Sequence, residues 1–207
     1  MPERLFKTYN NGVSVLVWEI EESIDELLTQ LPQSIVYDPV FTKIQVAHLR
    51  IEFLVGRLIT GIICNFLSID YQGIEKDIHG KPHLSNVAWE MSLTHSQSFV
   101  VVAIHPSKAI GIDIEKPNKK LKRIMPRLFT EAENQMVNGN LVMMSWFWSA
   151  KEALYKLYGK RGIDFKKHLL LNYSASEFSG EIILPDHKSS HHFLIEQIDD
   201  YYLVIAA

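Results

Sequence analysis

The sequence contains one cysteine, Cys64, so no intramolecular disulfide can form and the chain is expected to work in a reducing compartment, the cytoplasm. It has no basic excess: a formal charge of −3 at pH 7 gives no electrostatic footprint for nucleic acid. It also lacks a long apolar run. The most apolar helical stretch, 53–67, is short and carries Arg57, which excludes a membrane span there. Residues 1–12 are polar, without the apolar centre of a secretory signal. No glycine-rich loop of the P-loop or dinucleotide kind is present. Neither is a low-complexity linker or a clear repeat. His191 and His192 have no cysteine partner at zinc spacing and read as surface residues.

What is there is ordinary globular material, 47% hydrophobic and 22% charged, enough for one large domain or two small ones sharing an interface. The valine-rich segment 13–18 suits a strand, and Ser23 is placed to cap a helix ended by Pro32. Ile44, Ala47, Ile51, Leu54, Val55, Leu58 and Ile62 recur at helical spacing, predicting one long helix over 41–66 with Cys64 as a buried thiol. Strands are expected near 74–78, 91–94, 99–105 and 109–115, and helices over 122–129, 131–138 and 141–158. The tail alternates as strands from about 169 to 206, with Asp199-Asp200 as a hairpin turn. Both halves combine a prominent helix with several strands. The pattern predicts an α+β fold of two lobes, 1–107 and 108–207, joined near Pro106 to Ala109.

Two segments carry chemistry. In Gly111-Ile112-Asp113-Ile114-Glu115, strand alternation sends Ile112 and Ile114 one way and Asp113 and Glu115 the other. Two carboxylates on one strand face are either a solvated surface or a site for a cation that neutralises them. In Trp148-Ser149-Ala150-Lys151-Glu152-Ala153-Leu154-Tyr155-Lys156, Phe147, Ala150, Leu154 and Leu157 form an inward stripe. Glu152 and Lys156 share another stripe, as a surface ion pair or as part of a site. Taken together, three carboxylates beside lysines are a donor set suited to magnesium shared with phosphates.

In this order, the two segments resemble the signature motifs of the 4′-phosphopantetheinyl transferase superfamily, G-[IV]-D-x-E and [FW]-[SC]-x-K-E-[SA]-x-x-K. Between them, Arg127 to Glu133 resembles the family's R-x-F-x-x-x-E connection. Upstream, Gly80-Lys81-Pro82, then Leu93-Thr94-His95-Ser96, resemble its G-K-P and S-H-S elements. Arg50-x-Glu52-Phe53-Leu54-Val55-Gly56-Arg57 resembles its R-x-E-[FH]-L-x-G-R helix. Recognisable elements run from about residue 50 to 165, and the two ends carry none.

The resemblance, to the two-lobed, Sfp-like group, implies two similar lobes related by a pseudo-twofold with the site at their interface, in a monomer. It implies transfer of the phosphopantetheine arm of coenzyme A to a serine of an acyl or peptidyl carrier protein, releasing 3′,5′-ADP. Asp113, Glu115 and Glu152 would hold Mg2+. Glu152 would also take the serine proton, directly or through a water on the metal. Lys156 first and Lys151 second would hold pyrophosphate oxygens. Lys81 and His95 would line the nucleotide site, and Arg50, with Arg57 as a further candidate, would meet the ribose 3′-phosphate. Thr94 stands where serine is usual and keeps a hydroxyl for phosphate, while no basic cluster lies near the N-terminus. Set against this are another magnesium-dependent phosphoester enzyme and a non-catalytic protein that binds coenzyme A or a carrier domain. Carrier identity is not legible in the sequence.

Overall fold

The computed structural model describes residues 2–175 and 177–207. It is a mixed α+β fold built from two antiparallel sheets. The first has strand order β1-β2-β6-β5, with β1 at Glu3–Thr8, β2 at Ser14–Glu19, β5 at Glu90–His95 and β6 at Phe99–His105. The second runs β7-β11-β10-β9-β8, with β7 at Gly111–Glu115, β8 at Leu169–Ser174, β9 at Glu177–Leu184, β10 at His187–Ile198 and β11 at Tyr201–Ala206. A small hairpin, β3 at Ile74–Lys76 and β4 at Pro82–Leu84, stands apart from both.

Side-chain alternation explains how the sheets stack. Along β6, Phe99, Val101 and Ala103 face the second sheet, while Val100, Val102 and Ile104 face the long helix α2, Ala47–Phe66. A strand buried on both faces reads as a continuous apolar run, and FVVVAIH is one. In β11, Leu203 and Ile205 meet the first sheet, and Val204 and Ala206 turn to α5, Leu141–Tyr158. The order of layers is therefore α2, sheet, sheet, α5. The two sheets share an aliphatic core in which each buried valine or isoleucine contributes about 1.5–3 kcal/mol.

Local signals set the helix ends. Ser23 and Glu26 make a reciprocal capping box at the start of α1, Ile24–Gln30, and Thr130 and Glu133 do the same for α4, Glu131–Val137. Asn140 caps α5, and Gly159, with φ of 72°, ends it in the left-handed conformation. Between the motifs runs α3, Leu121–Leu128. The helix expected over 41–66 begins only at Ala47: the Asp38 carboxylate accepts from the Val40 and Phe41 amides, and the chain makes a separate single turn at Phe41–Lys43. Two strands had no sequence expectation, β1 and β4, both short and largely outside the cores. Asp199, with φ of 51°, makes the expected turn between β10 and β11. No helix among the described residues is long and apolar enough to cross a membrane.

Candidate active site

At the edge where the sheets meet, β5 lies beside β7 without a backbone ladder. Hydroxyls replace it. Ser92 Oγ accepts from the Ile112 amide at 3.1 Å, and Thr94 Oγ1 donates to Asp113 Oδ1 at 3.0 Å. Ile112 and Ile114 enter the core between the sheets, leaving Asp113 and Glu115 on the side of α5. The strand and helix approach closely because residue 111 is glycine. A Cβ there would sit 1.8 Å from the Ala153 carbonyl oxygen.

Helical spacing gives α5 a second face. Trp148, Glu152, Tyr155, Lys156 and Gly159 fall on one stripe and line a cleft of about 1230 Å³. Asp113, Glu115, Thr94, His95, Lys81 and Arg57 line it from the other elements. Glu152 and Lys156 share this stripe, as expected, but Lys156 does not pair with Glu152. Its Nζ donates to Asp113 Oδ1 at 2.8 Å and to the Ile112 carbonyl at 3.0 Å. Trp148 Nε1 donates to Glu115 Oε1 at 3.3 Å.

Acids flank several of the cleft's basic side chains. Arg57 pairs with Asp38 at 3.4 Å, Lys81 with Glu90 at 3.2 Å, and His95 Nδ1 lies 3.1 Å from Glu52 Oε2. Lys76 and His79 also line the cleft. Sequence reasoning does not reach them because they belong to the β3–β4 hairpin, whose neighbours across space are remote in the chain.

Two expected phosphate ligands lie elsewhere. Lys151 is turned away from the cleft and fully buried, where its Nζ donates to the carbonyls of Phe165 at 2.7 Å and Leu169 at 2.6 Å and pairs with Glu133 at 3.0 Å. Burial pulls its pKa down, and Glu133 opposes the shift. A signal for this was present: position 151 falls on the apolar stripe of Met144, Phe147 and Leu154. Arg50 does not line the cleft; its guanidinium stacks over Phe41 at 4.4 Å, with Nε buried and unpartnered. Arg57, two turns along the same helix, faces the cleft in its place. Thr94, expected to offer its hydroxyl to phosphate, donates its hydrogen bond to Asp113.

The carboxylates are poised against one another. Burial, then the Asp113 charge, raise the Glu115 carboxyl above its ordinary value. The same two causes push Glu152 up to about 7, with Lys156 pulling against them. Among the described residues, no three His, Cys, Asp or Glu side chains are drawn together tightly enough to hold a metal as they stand. The chemistry of the set nonetheless fits an oxygen-seeking cation. Asp113 Oδ2 is buried without a hydrogen-bond partner, and burial, then the Asp113 charge, holds the two neighbouring carboxyls in the protonated direction. Cys64, buried on the inward face of α2 with its thiol pushed up to about 11, is inert.

Fold and cleft together define a mixed α+β protein whose carboxylates and cations converge from two sheets and two helices. Comparison with known sequences makes this specific: residues 109–206 match the family model of the 4′-phosphopantetheinyl transferase superfamily. A curated relative, the 4′-phosphopantetheinyl transferase HetI of Nostoc sp. (strain PCC 7120), is 27% identical over 124 residues, covering 53% of this chain and 52% of its own. The chain thus spans about half the length of the curated relative it matches.

Proposed function

We propose that this protein transfers the phosphopantetheine arm of coenzyme A to a serine hydroxyl of an acyl or peptidyl carrier protein. The serine oxygen bonds to the phosphorus that bears the arm, the bond from that phosphorus to the ADP oxygen breaks, and 3′,5′-ADP leaves. The observation carrying this reading is one cleft in which Asp113, Glu115 and Glu152 face Lys156, Lys81, His95 and Arg57. The basic side chains suit a pyrophosphate and a ribose phosphate. Lys156, already oriented by Asp113 and the Ile112 carbonyl, would hold a pyrophosphate oxygen. Arg57 takes the 3′-phosphate role that Arg50 cannot reach, and Lys81 and His95 border the nucleotide.

Asp113, Glu115 and Glu152 would hold a magnesium ion, which when bound supplies positive charge to offset that growing on the leaving pyrophosphate oxygen. Glu152 would take the serine proton, directly or through a water on the metal; burial and the Asp113 charge push its carboxyl up to about 7 in the metal-free protein, and a bound cation would favour the ionised form that accepts a proton. Division at the β6–β7 connection gives two lobes, 1–107 and 108–207, each with a sheet and a long helix. Their similarity would follow a pseudo-twofold. With both sheets in one chain, the protein would act as a monomer, and its lone buried thiol suits the cytoplasm.

The test is intact-mass analysis of an apo carrier protein incubated with this protein, coenzyme A and Mg2+. The carrier should gain one phosphopantetheine, and the gain should vanish with EDTA and in Glu152→Ala. No gain on fatty-acid, polyketide and peptide carriers that a known transferase modifies in parallel would sink the proposal.

A further inference from the structure

Asp113 has two carboxylate oxygens in different circumstances. Oδ1 accepts two hydrogen bonds, from Lys156 Nζ at 2.8 Å and Thr94 Oγ1 at 3.0 Å. Oδ2 is withdrawn from solvent and accepts none, on a side chain that is only 10% exposed. A buried carboxylate oxygen without a donor is costly, because it has lost water and gained nothing. Such an atom calls for a partner that the protein itself does not supply.

The two donors to Oδ1 come from opposite sides. Lys156 belongs to α5, which packs on the same sheet as Asp113. Thr94 belongs to β5 of the other sheet, so its bond crosses between the sheets. Thr94 is itself buried, and the neighbouring Ser92 fixes the Ile112 amide from the same strand. Rotation of the Asp113 carboxylate about its Cβ–Cγ bond would exchange the oxygens and break both bonds to Oδ1. With lysine alone, a flexible single point of attachment, that rotation would be less restricted. The rigid, β-branched threonine closes the second side.

We infer that Thr94 is a positioning residue for Asp113: it fixes the carboxylate so that Oδ1 stays occupied by protein donors and Oδ2 alone is presented to a divalent cation. This rests on the proposed magnesium reading and assigns Thr94 a role other than phosphate contact. A hydroxyl that orients a ligand carboxylate acts on metal affinity even though it does not touch the metal, typically by ten- to a hundredfold.

Manganese(II) serves as the probe, because the EPR signal of the free ion falls as protein takes it up, with no coenzyme A or carrier present. Wild-type protein should bind Mn2+, and Thr94→Val should bind it about tenfold or more weakly while remaining folded by circular dichroism. Thr94→Ser, which returns the hydroxyl, should restore most of the affinity. Ser92→Ala removes the other hydroxyl bridge without touching Asp113; it should lower stability and leave Mn2+ affinity close to wild type. Wild-type affinity in Thr94→Val, a loss that serine does not repair, or an equal loss in Ser92→Ala would each overturn the inference. If valine is not tolerated, Thr94→Ala is held to the same outcomes. Failure of the wild-type protein to take up Mn2+ is a different result, which overturns the metal reading itself.

Discussion

Lys151 Nζ lies 3.0 Å from Glu133 Oε2 with both side chains withdrawn from solvent, joining α5 to α4 beneath the cleft. The Lys151 ammonium uses all three of its donors. Glu133 also accepts from the Thr130 amide at 2.7 Å and the Leu171 amide at 2.8 Å, while Lys151 reaches two carbonyls beyond. Removing one partner of such a pair strands a buried charge. Lys151→Met should cost about 3–5 kcal/mol in urea unfolding, and Lys151→Met with Glu133→Gln should cost less than the two singles added. On the proposed function, folded Lys151→Met should keep near wild-type affinity for coenzyme A, whereas Lys156→Met should weaken it about tenfold. Lost affinity at unchanged stability in Lys151→Met would return this lysine to the phosphate site.

That lysine also marks the boundary of what sequence reasoning could reach. Strong periodicity placed α5 and β6 with the bounds the structure shows, since an amphipathic helix of five turns and a seven-residue apolar strand leave little freedom. The alternation of Gly111 to Glu115 correctly separated the isoleucines from the carboxylates. Lys151 and Glu152, adjacent in one motif, point in different directions around the helix, and a motif read as a unit hides this. The partners that decide their roles, Glu133 and Asp113, come from other elements. The strand β1 escaped notice because ERLFKT has no clean alternation and is exposed along most of its length. Its anchorage is tertiary: Arg4 bridges Glu19 and Asp199, and Lys7 pairs with Glu196.

Gly111 is a steric requirement and not a flexible joint. An added methyl would meet the Ala153 carbonyl oxygen at 1.8 Å and the Leu157 nitrogen at 2.6 Å, both helix backbone that cannot rotate aside. Gly111→Ala must therefore push β7 away from α5 and carry Asp113 and Glu115 with it. The expected result is a loss of about 3 kcal/mol or more in chemical denaturation, at the upper end of overpacking costs. At Gly80, by contrast, nothing lies within 4 Å of the built Cβ and φ is +91°. Gly80→Ala should then cost only about 1 kcal/mol, from the backbone alone.

The two arginines of α2 can be separated by binding. Arg57 faces the cleft, stacked over Phe53 at 3.3 Å and paired with Asp38; Arg50 stacks over Phe41 outside it. If Arg57 meets a phosphate, Arg57→Ala should weaken coenzyme A by about tenfold to a hundredfold, the worth of a charge-assisted contact. The difference should shrink for a coenzyme A analogue lacking the 3′-phosphate. Arg50→Ala should lower stability through lost packing and leave affinity within about threefold. Calorimetric titration of both variants with both ligands checks this, and equal losses from the two would remove the distinction.

Glu152 gives the metal-free protein a pH dependence with a definite sign. Its carboxyl is pushed up to about 7, so the folded state holds the proton more tightly than the unfolded chain, whose carboxyl keeps its ordinary value. The stabilisation this proton brings is fully present below the ordinary carboxylate range and is lost as pH rises through about 7. Glu152→Gln cannot ionise and loses nothing over that window. In EDTA, the variant and wild type should unfold at similar urea concentrations near pH 4, and the variant should become the more stable by about 1–3 kcal/mol at pH 8, allowing for the carboxyl's partial exposure to water. Adding Mg2+ at pH 8 should favour wild type and narrow the gap, because a cation neutralises the charge that burial and Asp113 oppose. If the two proteins keep the same difference at both pH values, the Glu152 carboxyl titrates in its ordinary range.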